Sequence, residues 1–263
     1  MTLTPYWSNG AITLYHGDNA ELLPAVTADV VLTSPPYNMG LTPGGGGRGM
    51  YQPSASRKGG RFRAGYGDGG HDDAMPQHEY DAWQRHVLQL CWEAIPDTGA
   101  IYYNHRDRVE HGRLRVPLGG DFGLPLRQRI TWDRGTGIGV NTRHYAAVGE
   151  DLYLFAKPGW KIRHSASGAG DVWRLGMAHG RDHEDHPAPW PESLPARVID
   201  HNPGAILLDP FVGSGTTLLA AHRFGARAIG IESHEPYCEL IVRRLERQAV
   251  HSLSEVPADG GKP

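Results

Sequence analysis

Apolar and polar positions alternate through AITLYHGD, the period of a strand with one covered face, and the run ends at His16-Gly17-Asp18. NAELLPAV then has the spacing of a short helix, and ADVVLTSPPYN is a strand that breaks into a proline turn. That second strand is continuously apolar, as expected at the centre of a parallel sheet covered on both faces. Glu79 to Ile95 carries the apolar stripe of an amphipathic helix, and GAIYYN is the next strand. LRQRITW and EDLYLFA read as further strands. Near the end of the chain PESLPARVIDH predicts a helix, AILLDPF a strand, TTLLAAHRFGA a helix, ARAIGIE a strand and EPYCELIVRRLERQ a last helix. Strands alternating with helices predict an α/β fold, an open and mostly parallel Rossmann-like sheet, within one domain over residues 1–250.

Three stretches lose this periodicity. Residues 40–75 are rich in glycine, serine and charge and read as a mobile loop. Arg48, Arg57, Lys58, Arg61 and Arg63 make it basic, with Tyr51, Phe62 and Tyr66 interleaved. It is either a plain insertion or a flap that orders on DNA phosphates and unstacked bases. Residues 157–185 are irregular and are a candidate target-recognition insertion. Residues 251–263 read as a disordered tail.

Composition narrows the setting. With 39% hydrophobic and 21% charged residues among 263, the chain has the make-up of a globular protein. No apolar run is long enough to span a bilayer, and Met1 to Gly10 lacks the pattern of a signal peptide. A cytoplasmic, nucleoid-associated protein with no membrane partner is expected. The formal net charge of −3 does not advertise a nucleic-acid partner, although binding needs only a local basic surface. Cys91 and Cys238 fall in helix-like stretches and read as buried thiols.

Chemistry gathers at two places. In LLDPFVGSGTT, Leu207 to Thr217, a buried strand ends at Asp209 and a turn with Gly213, Ser214 and Gly215 leads into a helix. Glycines there let the backbone approach a ligand, and the helix start offers unpaired N–H groups. One strand and one helix later, Glu232 closes GIE, where an acid suits ribose hydroxyls of a nucleoside cofactor. Gly-x-Gly alone also fits a dinucleotide enzyme or a structural turn. A P-loop is disfavoured because no Gly-Lys-Ser/Thr follows, and a nicotinamide fingerprint because Leu218 stands where a third glycine belongs.

The second place is TSPPYN, Thr33 to Asn38, directly after a buried strand. Consecutive prolines hold a stiff turn whose carbonyls point in set directions. Those carbonyls and the Ser34 hydroxyl can accept hydrogen bonds from an amino group, and Tyr37 offers a flat face for a base. A structural turn is the plainer reading of Pro35-Pro36 taken alone.

Together the motifs resemble those of the amino-methylating DNA methyltransferases, which carry Asp-Pro-Phe-x-Gly-Ser-Gly-Thr-Thr and Ser/Asp-Pro-Pro-Tyr. The catalytic motif precedes the cofactor motif here, as in the permuted β group of that family. HPAPWPESLPARVI, HGDNAELL, ITWDRG and RHYAAVGEDLYLFAKPG also resemble family segments, so the likeness runs from about residue 12 to residue 247 outside the glycine-rich insertion.

The resemblance implies an S-adenosylmethionine-dependent methyltransferase fold with circularly permuted motif order, acting on a base flipped out of double-stranded DNA. Ser34, Pro35, Pro36 and Tyr37 would be catalytic, with Tyr37 stacking on the base while Ser34 and the Pro35 carbonyl hold its amino group. S-adenosylmethionine would be held by Asp209, Phe211, Gly213, Ser214, Gly215, Thr216 and Glu232, with Asp18 as a further contact. The nitrogen would attack the methyl directly, so catalysis would rest on positioning. Cytosine C5 methylation is set aside, since it needs a cysteine nucleophile in a Pro-Cys dipeptide and neither cysteine here follows proline. In the family Ser-Pro-Pro-Tyr is more typical of cytosine N4 enzymes, so Ser34 points to cytosine, with adenine N6 the alternative.

Fainter signals remain. His179, His183 and His186 with Asp182, Glu184 and Asp185 lack a standard zinc spacing and read as a solvated loop; no metal is expected. Arg134 and Arg143, like Arg127 and Arg129, are candidate phosphate contacts, each equally readable as a solvated or paired arginine. A homodimer and a cognate restriction endonuclease are possible partners. Two rivals stand: a protein or small-molecule methyltransferase sharing the cofactor fold, whose motif order would be reversed, and a non-catalytic DNA-binding relative, which intact motifs disfavour.

Overall fold

The computed structural model describes residues 3–38, 74–137, 142–176 and 190–254. In chain order these hold β1 (Trp7–Ser8), β2 (Ile12–His16), α1 (Asn19–Leu22), β3 (Val30–Thr33), α2 (Gln77–Ala94), β4 (Ala100–His105), β5 (Arg108–Glu110), β6 (Arg113–Arg115), β7 (Leu126–Asp133), β8 (Gly149–Ala156), β9 (Val172–Arg174), α3 (Ser193–His201), β10 (Ile206–Asp209), α4 (Thr216–Arg223), β11 (Arg227–Glu232) and α5 (Glu235–Ser254). Among the described residues nine strands form one sheet, in the order β1-β2-β11-β10-β3-β4-β8-β7-β9. From β2 to β4 neighbours run parallel, while β8 reverses against β4 and β7 against β8.

The absence of alternation in β3 and β4 has the expected cause. Every residue of both strands is buried, because helices cover both faces of the sheet. Val31, Ile101, Leu208 and Ile231 pack on one side with α2, through Val87, Leu88 and Cys91. On the other side Val30, Leu32, Tyr102 and Leu154 pack with α3, through Leu194 and Val198. Ile12, Leu14, Leu207 and Ala228 continue that side against α4 and α5, through Leu218, Cys238 and Ile241.

Several boundaries depart from the sequence pattern. The segment after Lys157 is not irregular throughout: β9 adds itself in parallel to the edge strand β7. A two-strand ribbon, β5–β6, turns at His111 and Gly112, both at positive φ (51° and 77°), the geometry of a tight hairpin turn. The expected tail from residue 251 is corrected at its start, since α5 continues through Ser254. The expected mobile loop lies outside the described residues except for its last two positions, as do its basic residues Arg48, Arg57, Lys58, Arg61 and Arg63 and the His179–His186 cluster. No described helix is long and apolar enough to cross a membrane.

Candidate active site

The two motifs are far apart in the chain but adjacent in space. β3 and β10 are parallel neighbours, so the turns that follow them leave the same edge of the sheet. Asp209 locks them together. One carboxylate oxygen accepts from Thr33 Oγ1 at 3.0 Å and from the Phe211 N–H at 3.1 Å, and the other accepts from Thr217 Oγ1 at 2.6 Å. The group is 1% exposed, and burial pushes its pKa up to about 6 against those three donors. Asp209, expected as a cofactor contact, has hydrogen bonds from the protein on both oxygens.

The glycine turn is shaped by packing as much as by ligand access. Gly213 and Gly215 have φ of +53° and +87°. A Cβ on Gly215 would lie 2.7 Å from Cγ1 of Ile241 on α5, so that helix presses directly on the turn. Arg244, also on α5, donates to the Ser214 carbonyl at 2.7 Å. Ser214 and Thr216 are buried, their hydroxyls 3.4 Å apart. Phe211 meets Trp83 edge-on, with centroids 5.5 Å apart. Beside the turn, Glu232 accepts from the Gly213 N–H and the His234 N–H, both at 2.9 Å. Burial raises its pKa to about 7, despite those two donors. Asp18 is exposed and caps α1 by accepting from the Ala20 N–H at 2.7 Å, while Asn19 reaches across to the Pro210 carbonyl at 3.2 Å.

Around Ser34-Pro35-Pro36-Tyr37 a polar network closes beneath the proline turn. Ser34 Oγ lies 3.1 Å from Tyr37 Oη and donates to Asn104 Oδ1 at 3.2 Å. Tyr37 Oη is 2.8 Å from Asn104 Oδ1 and 3.2 Å from Glu150 Oε2. Burial and the Glu150 charge hold the Tyr37 hydroxyl protonated, with its pKa well above the usual value. The Tyr37 ring stacks on His105 at 4.3 Å, so one of its two faces is already covered.

His105 is itself fixed by a chain of donors. Its Nδ1 accepts from the Arg106 N–H at 2.9 Å, which leaves the proton on Nε2 to donate to Tyr80 Oη at 2.9 Å. Tyr80 in turn donates to the Pro36 carbonyl at 2.8 Å. Burial drives the His105 pKa down to about 3, so the imidazole is neutral. Arg108 donates to the Tyr37 carbonyl at 2.7 Å. The carbonyls of Pro36 and Tyr37 are thus occupied, whereas no described residue donates to that of Pro35.

The expected phosphate contacts separate. Arg134 is corrected: it is 6% exposed, pairs with Glu150 at 2.8 Å and donates to the carbonyls of Ala147 and Val148. Its guanidinium braces the loop before β8 and the carboxylate beneath Tyr37, and none of it faces outward. Arg143 is exposed on that loop beside Tyr145, whose side chain is almost wholly in solvent. Arg127 donates to the Ala156 and Lys157 carbonyls, and Arg129 lies 3.8 Å from Asp151. Asn104, His105, Tyr80 and Glu150 do not stand out in the sequence. For Asn104 and His105 the one signal there is polarity at the end of a buried strand, YYNH, next in the sheet to the strand carrying the proline turn.

A model of the DNA methylase family matches residues 28–243. The chain belongs to that family. Type II methyltransferase M.BglII of Bacillus subtilis is 25% identical over 274 residues, 88% of this chain and 68% of that one. The DNA adenine methyltransferase YhdJ of Escherichia coli K12 is 24% identical over 287 residues, 95% of this methylase and 88% of its relative. Among solved structures, the cytosine-N4-specific PvuII DNA methyltransferase superposes with a TM-score of 0.64 at 18% identity, over 92% and 95% of the two chains. The methylase therefore has the methyltransferase fold anticipated from its motif order. Cys91 and Cys238 are both buried and free.

Proposed function

We propose that this methylase transfers a methyl group from S-adenosylmethionine to the exocyclic N4 of cytosine in double-stranded DNA. The observation that carries the reading is the catalytic turn itself. Ser34 and the Pro35 carbonyl, to which no described residue donates, stand at the rim of a network that fixes Tyr37, just past the strand next to the one that leads into the glycine turn. The PvuII likeness, with a neighbour named as cytosine-N4-specific, agrees with Ser34 in the Ser-Pro-Pro-Tyr turn. Adenine N6 is the second reading, favoured by the likeness to YhdJ.

The residues beside the glycine turn suit a nucleoside cofactor. Each Glu232 oxygen accepts one main-chain N–H and keeps a lone pair for a ribose hydroxyl. Two residues on, the buried Nδ1 of His234 has no partner among the described residues, an acceptor or donor in search of a ligand. Phe211 gives an apolar wall, and Gly213 to Thr216 shape the floor. When bound, S-adenosylmethionine supplies an electrophilic methyl group on a sulfonium. Ser34 and Pro35 orient the target amino group, and the free face of Tyr37 stacks on the base, His105 backing the other face. Aligning the two reactants is the source of rate, and no residue becomes covalently attached.

In this reading the candidate target-recognition insertion, residues 157–185, whose described part carries β9, and the loop bearing Arg143 read or grip DNA, and Asp18 is a further cofactor contact that also caps α1. A cognate endonuclease is the expected partner. The test is to incubate the protein with tritiated S-adenosylmethionine and duplex DNA, digest to nucleosides and identify the labelled one. N4-methylcytosine supports the proposal. N6-methyladenine replaces it with the second reading.

A further inference from the structure

We infer that Asn104 is a positioning residue that makes the Ser34 hydroxyl act as an acceptor toward the target amino group; this rests on the methyl-transfer reading above. A serine oxygen can donate or accept. For methylation of an amine the two roles have opposite consequences. Accepting a hydrogen from the amino group leaves the nitrogen lone pair free and aims it. Donating to the nitrogen occupies the electron pair that must attack.

The protons around Ser34 decide between these roles. Asn104 Nδ2 donates to the Asp151 carbonyl at 3.1 Å, which fixes the amide with its oxygen toward the catalytic turn. Asn104 is 2% exposed, so water does not relieve that oxygen. Glu150, held from behind by Arg134, also presents only acceptors. Beneath Ser34 and Tyr37 there is therefore a floor of oxygens without protons. Ser34 Oγ, Tyr37 Oη and Asn104 Oδ1 stand within 3.2 Å of one another. If Ser34 turned its proton outward, those three oxygens would share one proton, with an uncompensated oxygen–oxygen approach in a buried site. Drawing both hydroxyl protons inward leaves the fewest of these contacts unbridged, and the Ser34 lone pairs then face the base. Asn104 thus gives a serine the polarity that a carboxylate or amide oxygen has unaided.

The test is a two-by-two cycle of single-turnover methylation rates at Ser34 and Asn104, with cofactor and DNA affinities measured alongside. Asn104→Leu should slow methyl transfer about 100-fold, the scale of losing one preorganised polar contact, with cofactor affinity unchanged. Asn104→Asp keeps an oxygen in place and should retain more activity than Asn104→Leu. With Ser34→Asn, whose amide oxygen accepts unaided, adding Asn104→Leu should cost no more than about threefold. Equal losses in the Ser34 and Ser34→Asn backgrounds would overturn the inference, as would a wild-type rate in Asn104→Leu or an equally silent Asn104→Asp. If the unmodified protein labels no base of any DNA, the proposed function itself fails and the inference falls with it. If it labels DNA and the cycle shows no coupling, the inference alone fails.

Discussion

Replacing Gly215 by alanine should harm folding before it harms cofactor binding. The residue reads as part of a ligand-binding turn, yet two features make it a packing position: a φ of +87°, and the 2.7 Å that would separate an added Cβ from Ile241 Cγ1. A non-glycine residue in left-handed backbone costs about 1 kcal/mol. Forcing a methyl against a filled contact adds roughly 1–3 kcal/mol, and α5 cannot retreat without breaking the Arg244 bond to Ser214. The sum is about 2–4 kcal/mol, or roughly 4–16 °C in Tm for a chain of this size. Ile241→Ala is destabilising by itself, but it removes both side-chain carbons nearest the new methyl, so Gly215→Ala should cost less in that background. Thermal and urea unfolding of the four proteins without cofactor measure the coupling. An unchanged Tm in Gly215→Ala, with only cofactor binding lost, would refute the packing argument.

Other consequences are equally direct. Burial holds Glu232 near a pKa of about 7, and ribose hydroxyls would donate to its charged form. Protonation then competes with binding, so cofactor Kd should rise as pH falls through that value, by up to about tenfold per unit; calorimetry should find the dependence absent in Glu232→Gln. Arg134→Met strands the Glu150 carboxylate at 11% exposure and should cost about 3 kcal/mol in urea unfolding, while slowing methyl transfer more than it weakens cofactor binding. Arg134→Lys should not restore it, because one ammonium cannot serve Glu150 and two carbonyls at once. Replacing Cys91 and Cys238 together by alanine should leave the methylation rate within about twofold, since no thiol nucleophile is used. Burial raises both thiols, Cys238 to about 12, so thiol reagents should react only on unfolding.

Local rules made much of the fold legible. The unbroken apolar run of β3 announced a strand buried on both faces, and the motif order announced the permuted topology. Sheet neighbours were not legible, because pairing depends on contacts between distant segments. That is why Thr33 and Asp209 could not be linked in advance. Asn104 and His105 escaped for a related reason: a polar strand end looks like the start of a loop until a neighbouring turn is known to cover it. Arg134 misled because a buried, paired guanidinium and a phosphate-gripping one are the same letter in the sequence. β5–β6 and β9 were missed because strands of three residues carry too little alternation to register.

The place of β3 in the sheet has a consequence for synthesis. Its two neighbours are β4, the next strand of the chain, and β10, which arrives only after most of the chain has been made. Until then one edge of an entirely buried strand has no native partner, and β2 waits likewise for β11. A growing chain therefore carries open sheet edges through most of translation, a template for pairing with other chains. The Ser34–Tyr37 turn is finished early in sequence but reaches its final setting last, when the closing strands slot between β2 and β3. Premature termination anywhere before β10 would release a sticky fragment and never a partly active one.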